Sequence, residues 1–228
     1  MEKQAHQRIA KLEENLWTVD GDIRLPGGIF TRKMTLMKLR DGRVAIHSAI
    51  MLDEAGMAEI ERWGEPTFAI VPNRHHRLDA PALRQRYPAI KIICPGAARV
   101  QVEKVLRVDG EYETLPEEIT WRALATKDGE AAFMFRSGER VSIVFGDVLF
   151  NVEHFGGALG WTFRMIGSTG EPRVTPLAKW AVVADKRELA RQLRELAGTA
   201  SLVRLIPGHG ENIEKNPSEI LSAVAEGI

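Results

Sequence analysis

Apolar and polar positions divide the chain into short segments with strand-like or helix-like periodicity. Residues 16–50 consist of runs rich in β-branched and aromatic residues, separated by the Asp-Gly and Gly-Gly dipeptides that hairpin turns favour. This pattern predicts strands near residues 16–20, 33–40 and 43–48. Apolar residues at helical spacing then predict a helix over residues 53–63.

Strands and helices alternate in the next part of the chain. The apolar run 68–71 predicts a strand that stops at Pro72, and residues 90–94 predict another. Between them a short amphipathic helix is predicted over residues 79–87, because Asp79 is a natural N-cap and Pro81 suits the first turn. A further helix is predicted over residues 97–106.

The second half of the chain begins with a mostly β stretch. A strand is predicted around residues 119–124, followed by a hairpin of residues 131–135 and 141–145 about Ser137-Gly138. The clearest helix covers residues 185–197, since Asp185 is placed to cap it and Gly198 to end it. A strand over 202–206 and a helix opening at Asn216-Pro217 follow.

Two segments are less regular. Residues 1–15 are highly charged with a thin apolar stripe, which predicts an N-terminal helical extension. Residues 152–180 combine glycines with large apolar residues, a mixture that fits a long loop or a cover over a site. The order of elements indicates two sheets packed together with helices outside, in a single domain over residues 1–228.

Composition restricts the classes of function. The 228 residues are 44% hydrophobic, and 31 basic residues balance 31 acidic ones, which favours neither nucleic acid nor an anionic membrane as partner. The single cysteine, Cys94, lies in an apolar run and is predicted to be buried. No run approaches the ~20 apolar residues of a membrane span. We therefore expect a cytoplasmic protein whose partner is a small-molecule substrate or ligand, with the oligomeric state left open.

Histidines and an acid follow three of the predicted strands. His75 and His76 come after strand 68–71, Asp147 after strand 141–145 and His209 after strand 202–206. Because α/β sheets bind ligands at the carboxyl ends of their strands, these side chains can converge. Such a mixture suits zinc, iron or manganese. Each residue also has a purely structural interpretation, as a loop hydrogen-bonding partner or the cap of a turn.

Taken together, these stretches resemble the metallo-β-lactamase family. The matching pieces are the segment 73–79, Gly146-Asp147 and Pro207-Gly208-His209-Gly210, and the resemblance runs from about Trp17 to the C-terminal helix. It implies an α/β fold, the four-layer αβ/βα sandwich of the metallo-β-lactamase type, with a metal site at one edge. It also implies metal ligation by His75, Asp147 and His209.

The sequence departs from the family pattern at several ligand positions. The family's His-x-His-x-Asp-His motif is replaced here by Asn73, His75, Arg77 and Leu78 at its four ligand places. A cation at Arg77 opposes a second metal. The family's middle histidine is missing from residues 123–133, where Thr126, Lys127 or Asp128 stands. These changes indicate a branch with a reduced or rebuilt site.

Other residues are candidate replacements for the lost ligands. They are His76, His47 at the end of a neighbouring strand, and Asp79, for which the N-cap interpretation is favoured. His154, in the segment 152–180, is a further candidate that could reach over the site. The expected cofactor is one divalent metal, with zinc favoured over iron or manganese; the alternative is that no metal binds.

The resemblance implies hydrolysis of an ester, lactone, thioester or phosphoester, with Asp147 orienting a water molecule or acting as base. The alternative is a non-catalytic protein of the same fold that serves as a binding or scaffold module, which Arg77 and the missing histidines favour. A weaker third hypothesis is an oxidoreductase with a di-iron site.

Overall fold

Helices are interspersed among the strands along the chain, which confirms the predicted α/β class. The computed structural model describes residues 8–25 and 28–228. The chain clusters into two compact units, one formed by Met1–Asp22 with Lys33–Ile119 and the other by Ile23–Arg32 with Thr120–Ile228. The expectation of a single domain stays a prediction, and each unit is described by itself.

The sheet of the first unit has the strand order β1-β2-β3-β4-β5-β6. β3 and β4 are antiparallel, whereas β4, β5 and β6 run parallel, so the carboxyl ends of β4 and β5 lie side by side. The end of β2 and the start of β3 belong to the second unit, which includes Ile23–Arg32. The strands are β1 (Ala10–Glu13), β2 (Leu16–Leu25), β3 (Gly28–Lys38), β4 (Arg43–His47), β5 (Glu65–Ile70) and β6 (Lys91–Ile93).

Three helices complete the first unit: α1 (Glu54–Trp63), α2 (Ala80–Arg86) and α3 (Gly96–Val102). α1 begins where Asp53 accepts a hydrogen bond from the Gly56 amide at 2.8 Å. Its buried residues Met57 and Ile60 join a core of side chains from β3, β4, β5 and α2. This core fixes the loops that follow β4 and β5.

The N-terminal helix predicted over residues 1–15 is wrong where the structure describes it. Ala10–Glu13 forms β1, which pairs antiparallel with β2 so that Ala10 lies opposite Thr18. Pairing with a neighbouring strand satisfies the backbone here, and this tertiary interaction overrides the local helical pattern. Residues 1–7 lie outside the described part of the chain.

The main sheet of the second unit has the order β11-β9-β8-β7. β8 and β9 form the predicted hairpin, in which Ser137 pairs with Arg140 and Gly138 has φ +61°. β9 and β11 are parallel neighbours, and β10 and β12 form a separate parallel pair. The strands are β7 (Thr120–Ala123), β8 (Ala131–Ser137), β9 (Arg140–Val144), β10 (Phe150–Asn151), β11 (Leu202–Ile206) and β12 (His209–Gly210).

The helices of the second unit are α4 (Gly157–Met165), α5 (Pro176–Ala181), α6 (Lys186–Ala197) and α7 (Pro217–Glu226). α4 and α5 occupy much of the segment 152–180, so it is not one long loop. The cap predicted for α6 is confirmed, because Asp185 accepts hydrogen bonds from the amides of Arg187 and Glu188. Among the described residues, no helix is long and apolar enough to span a bilayer.

Candidate functional site

Two neighbouring parallel strands bring an acid and an imidazole together in the second unit. Val144 of β9 lies opposite Ile206 of β11, and both residues end their strands. Asp147 is the third residue after Val144, and His209 is the third after Ile206. Asp147 Oδ1 and His209 Nε2 are 2.9 Å apart. Both residues are buried, with 8% and 6% exposure, so two of the predicted site residues meet away from bulk water.

The contact between the two turns requires glycine. A Cβ at Gly208 would lie 2.5 Å from the carbonyl oxygen of Gly146, closer than real side chains approach. Beyond His209, Gly210 has φ +85°, and a Cβ there would lie 1.9 Å from the oxygen of Asn151. Glycine at position 208 therefore lets the two turns pack directly together, and glycine at position 210 lets the chain pass close to Asn151.

The His209 ring is fixed on three sides. Its Nδ1 lies 2.5 Å from the carbonyl oxygen of Thr31, which can only accept, so Nδ1 carries the proton. Phe150 stacks on the ring with centroids 4.9 Å apart, and Phe30 lies 4.8 Å away at a tilt. These contacts leave Nε2 facing Asp147.

Asp147 is held through its main chain. Its amide donates to Glu130 Oε2 at 2.9 Å, and Glu130 is only 1% exposed. The Glu130 amide in turn donates to Thr126 Oγ1 at 2.8 Å. Glu130 thus supports the turn that carries Asp147, a role that sequence reasoning missed because an acid just before a strand gives no distinctive signal.

Lys127 and Asp128 follow Thr126 in the stretch where the family resemblance leads one to expect a histidine. Lys127 donates from Nζ to the carbonyl oxygen of Trp180 at 2.6 Å, and its side chain is exposed. Asp128 is buried, with 6% exposure. Thr126, as described, supports Glu130. Within this loop, Thr126 supports the site through its hydroxyl group, which accepts from the Glu130 amide.

The loop after β5 carries the adjacent histidines of the first unit. Asn73, 1% exposed, accepts hydrogen bonds at Oδ1 from the amides of His75 at 2.7 Å and His76 at 3.2 Å. The residue at the family's first ligand place therefore shapes the loop. His75 is exposed, whereas His76 is half-buried and its Nδ1 meets the hydroxyl of Ser48. Of the two, His76 has the fixed ring.

The side chains of Arg77 and Asp79 both hydrogen-bond to main-chain groups elsewhere in the first unit. Arg77 donates from Nη1 to the carbonyl oxygen of Gln101 in α3, so its guanidinium is held against that helix. Asp79 precedes α2 as predicted but makes no capping hydrogen bond to it. Its Oδ2 instead accepts from the Met51 amide at 3.0 Å, so the expected N-cap bond is wrong because this loop amide takes the carboxylate.

The remaining candidates, His47 and His154, lie in different units. His47 ends β4 and is 1% exposed. His154 is an exposed residue, and its Nδ1 lies 2.8 Å from Thr169 Oγ1. Ligand roles for His47, Asp79, His75 and His154 stay predictions.

The thiol of Cys94 is not a candidate nucleophile. The residue is fully buried, and burial raises the pKa of its thiol to about 11. The thiol is therefore protonated near neutral pH. The predicted burial of Cys94 is confirmed, although the residue directly follows β6 and is not part of the strand.

The Asp147–His209 pair fits a cation. With its proton on Nδ1, the neutral imidazole presents a lone pair at Nε2, and the carboxylate also presents lone pairs. Two acceptors 2.9 Å apart are stable together only if a proton or a metal ion neutralises their repulsion. An imidazole whose other nitrogen donates to a carbonyl is the usual arrangement of a metal ligand.

Known proteins resemble this chain in structure but not in sequence. The sequence matches no known family profile and no curated protein sequence. The structure is similar to that of DIM-1 metallo-β-lactamase exposed to ceftazidime, with a TM-score of 0.65, 15% identity and coverage of 99% of each chain. The metallo-β-lactamase FIM-1 from Pseudomonas aeruginosa, in its mono-zinc form, gives a TM-score of 0.62 at 13% identity, covering 99% of this chain and 97% of that one.

A third similar structure is the metallo-β-lactamase from Hirschia baltica, with a TM-score of 0.60, 11% identity and coverage of 96% and 97% of the two chains. At such low identity the similarity shows the fold alone. It confirms the predicted α/β fold of the metallo-β-lactamase type over nearly the whole chain.

Proposed function

We propose that the protein is a metal-dependent hydrolase acting on an ester, lactone, thioester or phosphoester with one divalent ion. The observation that carries the proposal is the buried Asp147–His209 contact, in which Thr31 fixes the imidazole proton on Nδ1. A carboxylate and an imidazole nitrogen held this way are a ligand pair in need of a cation.

Asp147 and His209 supply two ligands, and the resemblance of the sequence to the metallo-β-lactamase family leads us to propose a histidine of the segment 73–79 as the third. His76 is preferred over the exposed His75 because its ring is half-buried and engaged at Nδ1. Two imidazoles and one carboxylate suit zinc and leave a position for water, with iron or manganese as alternatives. The set is reduced relative to the family, since Asn73 and Arg77 occupy two of its ligand places.

A bound divalent ion lowers the pKa of water toward ~7 and polarises a carbonyl or phosphoryl oxygen. The chain's own residues do the rest. Asp147 accepts the proton of the attacking water at its carboxylate, while Glu130 holds the Asp147 main chain in place. Phe30 and Phe150 cover the His209 ring and exclude water from it. The proposed substrate is a small molecule, in the cytoplasm.

Metal content and activity test the proposal together. Protein purified without chelator is analysed for metal and assayed, with zinc, manganese or iron added, on ester, lactone, thioester, phosphodiester and β-lactam substrates. We expect about one metal ion per chain, lost in His209→Ala and weakened in Asp147→Asn. Asp41→Asn, which alters an exposed carboxylate in the β3–β4 turn, is the matched control and retains the metal.

The competing function is a binding or scaffold module. An unmodified protein that is free of metal, and that ignores added zinc, manganese and iron, would overturn the hydrolase and favour that alternative. Stoichiometric metal without turnover of any substrate class would limit the protein to metal-dependent binding.

A further inference from the structure

Ser48 has an unusual backbone conformation at the carboxyl end of β4. It is the first residue after this strand, has φ +59° and is 3% exposed. Its amide donates to the carbonyl oxygen of Ile70 at 3.0 Å, which ties the turn to the end of β5. Positive φ is uncommon for serine and persists only where the surroundings impose it.

This conformation brings the Ser48 hydroxyl to Nδ1 of His76. The main chain of His76 is fixed independently, by the hydrogen bond from its amide to Asn73 Oδ1. The histidine is therefore constrained at its backbone by Asn73 and at its ring by Ser48. His75, one residue earlier, shares the backbone constraint, but its side chain is exposed.

We propose that Ser48 is a positioning residue for His76, and this inference rests on the metal site proposed above. The hydroxyl oxygen accepts the Nδ1 proton of His76, which leaves the lone pair on Nε2 for the metal. The reverse polarity, with the hydroxyl donating to Nδ1, places the proton on Nε2 and removes that ligand atom. A His76 ring protonated on Nδ1 is therefore consistent with the positioning role of Ser48, and a ring protonated on Nε2 is not.

The first experiment measures that tautomer in metal-free protein. Nitrogen-15 spectra of histidine-labelled protein, with His76 assigned by its disappearance in His76→Gln, are expected to show a ring protonated on Nδ1. Ser48→Ala is expected to give a mixture of tautomers. A His76 ring protonated on Nε2 in the unmodified protein, or a tautomer unchanged in Ser48→Ala, would overturn the proposal whether or not metal binds.

The second experiment measures zinc affinity by chelator competition for Ser48→Ala and Ser48→Gly. Glycine accepts φ +59° without strain, so it removes the hydroxyl while keeping the turn. Loss of a group that orients a ligand typically weakens metal binding about 10–100-fold, and we expect both variants to show this. Ser201→Ala is the control, because Ser201 has the same φ of 59° and precedes β11 in the other unit.

The outcomes separate three cases. Weak binding in both Ser48 variants, with normal binding in Ser201→Ala, supports the positioning role. Normal binding in Ser48→Gly shows that backbone conformation alone matters and overturns that role while the proposed function survives. An unmodified protein that binds no zinc overturns both.

Discussion

Phe150 lies nearly parallel to the imidazole of His209, with an interplanar angle of 8° and centroids 4.9 Å apart. The two residues are also partners in the parallel pairing of β10 with β12. The same backbone pairing that positions the histidine therefore places an aromatic face on its ring. The aromatic ring is a support for His209 that can be removed without touching a proposed ligand.

We expect Phe150→Ala to lower the free energy of unfolding by about 1–3 kcal/mol, since a half-buried ring is lost. Phe150→Leu keeps most of the apolar volume but not the flat face, which contributes ~0.5–1.5 kcal/mol. Urea denaturation and zinc competition measure both effects. Zinc affinity that falls in Phe150→Ala and stays normal in Phe150→Leu would show that volume, and not stacking, supports His209.

Gly208→Ala tests the packing of the two turns. The added methyl group would lie 2.5 Å from the Gly146 oxygen, so the turns must separate and the Asp147–His209 contact must lengthen. We expect loss of metal binding together with a lower melting temperature. Gly156→Ala is the control, because a Cβ there meets open space. Unchanged metal content in Gly208→Ala would contradict the requirement for glycine.

Glu130→Ala tests how Asp147 is supported. It leaves the buried amide of Asp147 without the Glu130 oxygen, which costs about 1–3 kcal/mol. Glu130→Gln retains an oxygen acceptor, so we expect a smaller loss of stability. Chemical denaturation of the two variants measures the difference in the free energy of unfolding. Equal stability of Glu130→Ala and the unmodified protein would show that this hydrogen bond is not needed.

Cys94 gives a pH prediction. Burial raises the pKa of its thiol from 9.0 to about 11, so the folded protein holds it protonated between those values while the unfolded chain ionises it. This group therefore favours unfolding increasingly as pH rises above about 9. We expect alkylation by iodoacetamide to be slow in the folded protein at pH 8 and fast in urea. Rapid alkylation of the folded protein would contradict the burial of this thiol.

The sequence was sufficient to predict the meeting of Asp147 and His209, for a physical reason. Each lies just past a strongly apolar strand, and the carboxyl ends of adjacent parallel strands share one edge of a sheet. Strand assignment placed each residue just past a strand end, and the resemblance to the metallo-β-lactamase family indicated that the two ends meet. The α6 cap at Asp185 was predictable for a similar reason, since its partners lie two and three residues away.

Contacts between distant residues could not be predicted in this way. Thr31 fixes the His209 proton through a main-chain oxygen, which any residue type provides. The preference for His76 over His75 depends on the conformation of Ser48, and nothing in the local sequence announces a positive φ there. β1 was mistaken for a helix because its partner strand, and not its own composition, determines its state.

Asn73 limits which substitutions the loop after β5 can accept. Its amide oxygen receives two main-chain hydrogen bonds, from His75 and His76. Asn73→His would remove this acceptor and leave both amides without their Asn73 partner. A histidine at this position would therefore disturb the loop that carries the two neighbouring imidazoles.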